Sequence, residues 1–350
     1  MISTSGGPTD DRRPARMKDV AAATGVSFKT VSNVVHGKPN VGEQTRARVW
    51  AAIAELGYRP DLAGRQLRQG RTTMLTLVVP EIVSPYFAAL AHATIEAARE
   101  HGYAVFIEET GGSRETEQEL LGSLSTRVFD GMIFSPISAS VDALLALGKI
   151  VPTVFLGEHI EGGGLDHLTY DNVASMQVAT DHLIGRGRRQ IVFLGIQQGH
   201  VNHTGQYRFN GYRAALDKAG ISYKRKLAVA ATEYSREEGA LRMTEFLRQK
   251  IPFDGLVCAN DLLAMGALFA LRQHGLRVPE DVSVIGWDDN PEGRFSQPTL
   301  STIAPDVAEL ARTAVRVLIR RIERPGSSPE RHTIGHRLLV RESTAGSHQA

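Results

Sequence analysis

The sequence predicts an α/β protein in two parts: an N-terminal three-helix helix-turn-helix head and a two-lobed core of parallel sheets. Three observations carry this. The charge is split along the chain: the first 72 residues hold 12 Lys+Arg against 6 Asp+Glu, and the remaining 278 hold 28 against 32. A basic head therefore sits on a slightly acidic body, which points to a head that meets a polyanion. Residues 17–60 carry helical periodicity broken by a glycine turn. After Thr73, apolar runs alternate with helical stretches, the pattern of a parallel sheet covered on both faces.

At 350 residues the chain is too long for one ordinary core, so two or three domains are expected. A hydrophobic content of 42% with 22% charged residues reads as soluble and globular. The single cysteine, Cys258, excludes an intramolecular disulfide framework and fits a reducing compartment. No apolar stretch near the N-terminus and no run of 18 apolar residues is present, so neither a signal peptide nor a membrane span is expected, and a cytoplasmic location is. Residues 1–15, rich in Ser, Gly, Pro, Asp and Arg, are expected to be a disordered tail.

The head is expected over 16–58. Lys18 to Thr24 reads as a short helix with Val20, Ala21 and Ala23 as packing residues. Gly25 supplies the tight turn, because a left-handed backbone costs it little. Val26 plugs the space between two helices, and Ser27 is a good N-cap. Phe28 to Val35 follows as a second helix with Val31, Val34 and Val35 inward. A third helix runs from about Glu43 to Leu56. Val49, Ala52, Ile53 and Leu56 form its apolar face, and Gly57 stops it. In such a unit the second helix lies in the DNA major groove with its N-terminal side chains at base edges. Here Lys29 suits guanine, Asn33 adenine and Phe28 a thymine methyl. Ser27, Thr30 and Ser32 are available for phosphates.

The run DVAAATGVSFKTVSNVV, then TRARV, then AIAELGYRP, resembles the DNA-binding head of the lactose-repressor/galactose-repressor family. That resemblance implies that residues 59–72 form a hinge helix that folds on DNA, pairs with its mate in a dimer and pushes Leu67 into the minor groove, kinking the duplex. Arg65, Arg68 and Arg71 would supply phosphate charge. Two departures from the family stand out. Asp61 replaces the usual Asn, and Gly64 replaces the usual Ala at a cost of roughly 0.5–1 kcal/mol within a helix.

The body, 73–344, begins with the strand MLTLVVP and a helix from Tyr86 to His101. YAVFIEET, GMIFSP and PTVFLGE follow as strands, with a helix from Glu115 to Arg127. The series restarts at QIVFLG (190–195), LAVAAT (227–232), DGLVCAND (254–261) and DVSVIGWDD (281–289). Two such series imply two lobes, expected at about 73–170 with 303–325 and at 171–302 with 326–344. Ligands of such sheets bind at the carboxyl ends of the strands, which places a small ligand between the lobes and lets it control hinge closure. VRESTAG reads as a closing strand, and 345–350 as a tail.

The family resemblance extends through residue 344, with PYF, GRGRRQI, RFNGYRAAL, CANDLLAMGAL, VIGWDD and PTLSTI in matching places. It implies a periplasmic-binding-protein-like core with a cleft for a sugar or related metabolite. By position, Arg208 matches the effector-gripping arginine. Asn260 and Asp288 match hydroxyl-binding groups at strand ends, and Tyr234 an aromatic platform. Tyr86 and Phe87 flank the cleft mouth, and Ser135 ends the third strand. Gly157 occupies the point where the family often has an acidic residue and Glu158 follows it, so either could face the cleft. His203, Thr204 and Gln206 are weaker candidates in a segment longer than usual. Asp261 is expected to be the helix N-cap beside Asn260. Trp287 is expected beneath the site, and Cys258 as an inert buried thiol.

Enzymatic motifs are lacking. There is no GxSxG, no HExxH and no phosphate-binding GxxxxGK[ST] loop, and GRGRRQ lacks the third glycine of a dinucleotide fingerprint and precedes a strand. No catalytic residue, cofactor or metal is expected. His332 and His336 fall in a strand-like segment where their spacing forms no clamp, and Asp288, Asp289 and Glu292 read as a cap and turn. The expected partners are a near-palindromic operator in double-stranded DNA, a small effector and a second copy of the chain. No leucine heptad follows the last strand, so a dimer is expected over a tetramer.

Overall fold

A computed structural model describes residues 15–35, 37–58, 71–123, 129–158, 164–197 and 203–345. The chain divides into two compact units, Met1–Thr72 and Thr73–Ala350.

In the first unit, α1 (Met17–Thr24), α2 (Phe28–Val35) and α3 (Glu43–Leu56) enclose a small core of Val20, Val31, Val34, Val49, Ile53 and Tyr58. Gly25 adopts φ 66°, the left-handed conformation that lets the chain turn between α1 and α2. Val26 packs partly buried against the core, as does Ala15, which the sequence places in the tail. Two packing expectations are corrected. Ala23 is exposed, because it lies off the stripe that carries Val20 and Thr24. Leu56 is 39% exposed, and Tyr58, just past the Gly57 cap, is buried in the core.

Among the described residues the second unit holds two six-stranded sheets. The first comprises β1 (Met74–Val79), β2 (Ala104–Glu109), β3 (Gly131–Phe134), β4 (Thr153–Leu156), β5 (Asp166–Tyr170) and β11 (Arg331–Ile334), in the order β11-β5-β4-β3-β1-β2, all parallel. The second comprises β6 (Ile191–Ile196), β7 (Ala228–Ala230), β8 (Gly255–Cys258), β9 (Ser283–Trp287), β10 (Ser301–Pro305) and β12 (His336–Leu339), in the order β12-β10-β9-β8-β6-β7, with only β12 antiparallel. Central strands such as β3, β4 and β9 are buried throughout, which is why their sequences read as unbroken apolar runs. Edge strand β2 is mostly exposed instead.

Helices α4 (Pro85–Glu100), α5 (Arg114–Ser123), α6 (Val141–Ile150) and α11 (Val307–Glu323) belong to the first lobe. Helices α7 (Asn172–Gly185), α8 (His203–Lys218), α9 (Arg236–Arg248), α10 (Asp261–Gln273) and α12 (Glu342–Ala345) belong to the second. Within VRESTAG, Glu342–Ala345 is therefore a short helix, not part of a closing strand. The chain crosses between lobes after Tyr170, after Pro305 and between Ile334 and His336. The expected lobe borders at 303 and 326 move accordingly. β10 pairs with β9 and β12 through Pro305, and residues 331–334 pair with β5 of the first lobe. His332 and His336 thus sit in different sheets.

Strand order reverses at β1/β3 in one sheet and at β6/β8 in the other. These switch points open crevices at the strands' carboxyl ends, and both face the space between the lobes.

Candidate functional site

On the head, Ser27 caps α2: its Oγ accepts from the Thr30 backbone N–H at 3.1 Å and lies 2.9 Å from the Thr30 hydroxyl. Phe28 and Lys29 are exposed at the first turn, Phe28 by 46%. Helical spacing puts Ser32 and Asn33 one turn further along the same face. Arg46 Nη2 donates to Lys38 O at 2.9 Å and ties down the loop before α3. An exposed apolar ring beside a lysine and an amide, on a helix whose other face is fixed by Val31 and Val34, is a surface built to meet something. Leu67, Arg65 and Arg68 lie outside the described residues.

Between the lobes runs a cleft of about 880 Å³. All eight expected cleft residues line it: Tyr86, Phe87, Ser135 and Glu158 from the first lobe, and Arg208, Tyr234, Asn260 and Asp288 from the second. Thr204, a weaker candidate, lines it too, while Gln206 is engaged with Asn210 at 2.9 Å.

Arg208 is held rigidly. Its Nε donates to Asn172 Oδ1 at 2.7 Å and its Nη1 to Ala259 O at 2.6 Å. Its guanidinium lies 3.6 Å over the centre of the Trp287 ring, a cation–π contact in a desolvated place. Trp287 is fixed in turn by donating from Nε1 to Ser175 Oγ at 3.1 Å. It packs beneath Arg208 and, against the expectation that it would lie under the site rather than touch it, also lines the cleft.

Asp288 and Asp289 follow β9 with φ of 128° and 55°, backbone conformations that cost non-glycine residues about 1–3 kcal/mol each. The surroundings enforce them. Asp288 N donates to Ile303 O at 2.9 Å, and Asp289 is clamped by Arg341 at 2.5 Å and Arg294 at 2.9 Å. The result turns the Asp288 side chain to the cleft, where no ion pair joins it to Arg208. Burial pushes its carboxyl well above the usual range, with Arg208 opposing and Asp261 adding to the shift.

Asn260, not Asp261, is the N-cap of α10: its Oδ1 accepts from the Leu263 N–H at 3.0 Å. Its amide nitrogen is left to the cleft. Asp261 is fully buried and accepts from the Thr302 hydroxyl at 2.7 Å and the Asn290 N–H at 2.8 Å. Asp261 is not the cap because, as the first helical residue, it faces inward here, against Gly286. Tyr234 donates its hydroxyl to Gly195 O at 2.9 Å, which presents its ring at the cleft. Burial raises both the Tyr234 and Tyr86 hydroxyls. Gly205, in the first turn of α8, has no room for a side chain, since a Cβ there would stand 2.6 Å from the Tyr234 hydroxyl.

Gly157 and Glu158 both line the cleft, and Glu158 carries the polar contacts. It accepts from Thr169 at 3.3 Å, from Asn172 Nδ2, and from Thr204 at 2.6 Å. Asn172 links Glu158 to Arg208, and nothing in the sequence around NVASMQ marks it out. Glu117 was equally unmarked. Fully buried, it accepts from the N–H groups of Ile137, Ser138 and Ala139 at 2.7–2.9 Å and so shapes the loop beside Ser135. Among the described residues no His, Cys, Asp or Glu group is arranged to hold a metal ion, and no helix is long and apolar enough to cross a membrane.

A helix-turn-helix unit joined to a two-lobed core with an interlobe cleft defines a class: a transcriptional regulator carrying its own effector-binding domain. Comparison with known proteins agrees. Residues 16–61 match the model of bacterial regulatory proteins of the lacI family, and residues 180–344 match a periplasmic binding protein-like domain. The regulator RegA of Clostridium saccharobutylicum is 31% identical over 94% of this chain and 98% of its own length. The ribose operon repressor of Haemophilus influenzae is 31% identical with the same coverage. Among solved structures, a complex of the regulator CelR with cellobiose is 31% identical over 95% of this chain and all of its own, with a TM-score of 0.70. The chain belongs to the LacI family of bacterial transcriptional regulators, and its relatives are DNA-binding regulators rather than enzymes.

Proposed function

We propose that this chain is a cytoplasmic, homodimeric repressor of carbohydrate uptake or catabolism genes, and that a sugar or related metabolite in the interlobe cleft controls its operator affinity. The observation that carries this reading is that Arg208, clamped over Trp287, and the Asp288 carboxyl group, on a strained strand end, meet in one cleft. A rigid guanidinium donor and a buried carboxyl group in one cleft of mixed apolar and polar walls suit the hydroxyls of a sugar. The names of relatives support it: a ribose operon repressor and a regulator complexed with cellobiose.

On DNA, two heads read two half-sites through Phe28, Lys29 and Asn33, with Ser27, Thr30 and Ser32 on phosphates. Leu67 enters the minor groove between them, flanked by Arg65 and Arg68. Edge strand β2, which exposes Phe106 and Ile107, is the kind of unpaired edge that a second copy covers. Effector acts by its unequal affinity for two lobe arrangements.

The test is selection of bound fragments from source-genome DNA by the purified full chain, with and without cell metabolites. A near-palindrome beside sugar-handling genes, whose capture changes with metabolites, supports the reading. Absence of any enriched sequence under both conditions contradicts it.

A further inference from the structure

The cleft is longer than the group of residues around Arg208. On the first lobe its lining runs from Glu158, at the end of β4, past Ser135 after β3 and Glu81 after β1, to Gly111 and Gly112 after β2. On the second it runs from Asp288 after β9 past Asn260 and Gln197 to Thr232 and Glu233 after β7. Each path crosses three strand spacings, about 14 Å at roughly 4.8 Å per spacing. A single sugar ring spans little more than one of them. The 880 Å³ volume likewise lies near the top of the about 300–1,000 Å³ range of small-molecule sites.

The far end is roomy and polar. A side chain at Gly111 would meet nothing within 4 Å, and one at Gly112 only Ile137 at 3.8 Å. Beside them on the same lobe is Glu81, and opposite stand Glu233 and Thr232, whose hydroxyl donates to Glu238 at 2.8 Å. Burial raises Glu81, and the nearby charges of Glu109 and Glu233 add to the shift, so the two lobes bring carboxylates close together here. Deeper in, Gln197 Oε1 is buried with no hydrogen-bond partner.

Charge narrows the ligand. Four carboxylates, Glu81, Glu158, Glu233 and Asp288, line the cleft against two guanidiniums, Arg208 and Arg242. Arg242 is taken by Glu238 at 3.0 Å and Glu245 at 2.8 Å, and Arg208 has two of its nitrogens committed within the protein. A phosphate placed at either end meets carboxyl groups, and the one guanidinium with a nitrogen left over, that of Arg208, stands at one end only and already serves Asn172 and Ala259.

We propose that the β2/β7 end of the cleft is a second sugar subsite, and that the effector is an uncharged oligosaccharide of two or three rings. One ring lies between Arg208 and Asp288 and the next against Glu81, Thr232 and Glu233; phosphorylated sugars are excluded. This rests on the cleft being the effector site.

The test is calorimetric titration of the full chain with cellobiose, maltose, lactose, sucrose, cellotriose and maltotriose, against glucose, galactose, fructose, ribose and glucose 6-phosphate. The expected result is that at least one oligosaccharide binds about tenfold or more tighter than every monosaccharide, with glucose 6-phosphate silent. Glu233→Lys, checked by its melting temperature, should weaken that oligosaccharide by about tenfold. Tighter binding of a monosaccharide or of glucose 6-phosphate, no binding of any oligosaccharide, or an unchanged Glu233→Lys affinity would overturn the proposal. Arg208→Ala separates the two levels. If it abolishes binding of whichever sugar is bound, the cleft remains the effector site even where the oligosaccharide assignment fails; if binding survives, the cleft assignment itself is wrong.

Discussion

Thr204 Oγ1 donates a 2.6 Å hydrogen bond to Glu158 Oε2, and this bond joins α8 of one lobe to the end of β4 in the other. Glu158 also accepts from Asn172, whose Oδ1 accepts from Arg208. A ligand gripping Arg208 is therefore one side chain away from a carboxylate that joins the lobes through Asn172 and Thr204. Small shifts at such a junction become lobe rotations because packed interfaces are bistable rather than continuously deformable.

Thr204→Val keeps the side chain's shape and removes the donor. A hydrogen bond to a carboxylate contributes about 1.5–3 kcal/mol, and partial exposure places this one at the low end. The lobes of the free protein should shift about tenfold toward open. Small-angle scattering should register a larger radius of gyration for the variant without ligand, converging on the wild-type value when effector is saturating. Identical scattering of the two free proteins would show that the bond does not hold the lobes.

Arg208→Lys retains the charge but loses the planar fork and the stacking on Trp287. A lysine ammonium cannot serve both Asn172 and Ala259 O from a guanidinium's geometry. Operator binding without effector should be unchanged, while the effector concentration for half-response rises at least about tenfold. Fluorescence anisotropy of labelled operator, titrated with effector, reads both quantities. A normal response would remove Arg208 from the effector site.

Lys29 projects from the first turn of a helix whose opposite face is locked into the head core. If it reads a base, Lys29→Ala costs about 1–3 kcal/mol of specific binding and relaxes preference at one position of each half-site. If it only meets phosphate, binding weakens evenly across sequences and the salt dependence drops by about one ion. Site selection repeated with the variant distinguishes the two; an unchanged preferred sequence contradicts the base-reading role.

Much of this was legible in the sequence because the informative residues sit in short local patterns. Strand runs ending in VIGWDD or CAND mark the carboxyl ends where Asp288 and Asn260 stand, and the Gly25 turn with Ser27 marks the head. What sequence order hides is adjacency made by the sheets. Asn172 and Glu117 act through groups that only the strand order brings near, and the cap fell to Asn260 rather than Asp261 because cap geometry turns on one residue of register. Leu56 follows the helical period but stands at the last turn, where the stripe runs off the core and Tyr58 takes over. The crossover after Ile334 was hidden for a related reason: one continuous segment, RHTIGHRLL, supplies strands to both sheets, and periodicity does not say which.

Asp261 gives the fold a pH dependence of definite sign. Its carboxyl is fully buried between β10 and the turn after β9, and burial pushes it up to about 7, against the bonds from Thr302 and Asn290 that favour the charged form. In the unfolded chain it returns to about 3.9. Between these values the folded state binds more protons than the unfolded one, so this group's contribution to stability is fully present below about pH 4 and is lost as pH rises through about 7. Asp261→Asn keeps an acceptor and the shape of the side chain while removing the titration. Scanning calorimetry of both proteins from acid to neutral pH should show the variant gaining on the wild type as pH rises across that window, and the difference levelling off above it. Parallel curves across the window would mean that Asp261 is already charged in the folded protein, with its two hydrogen bonds outweighing burial.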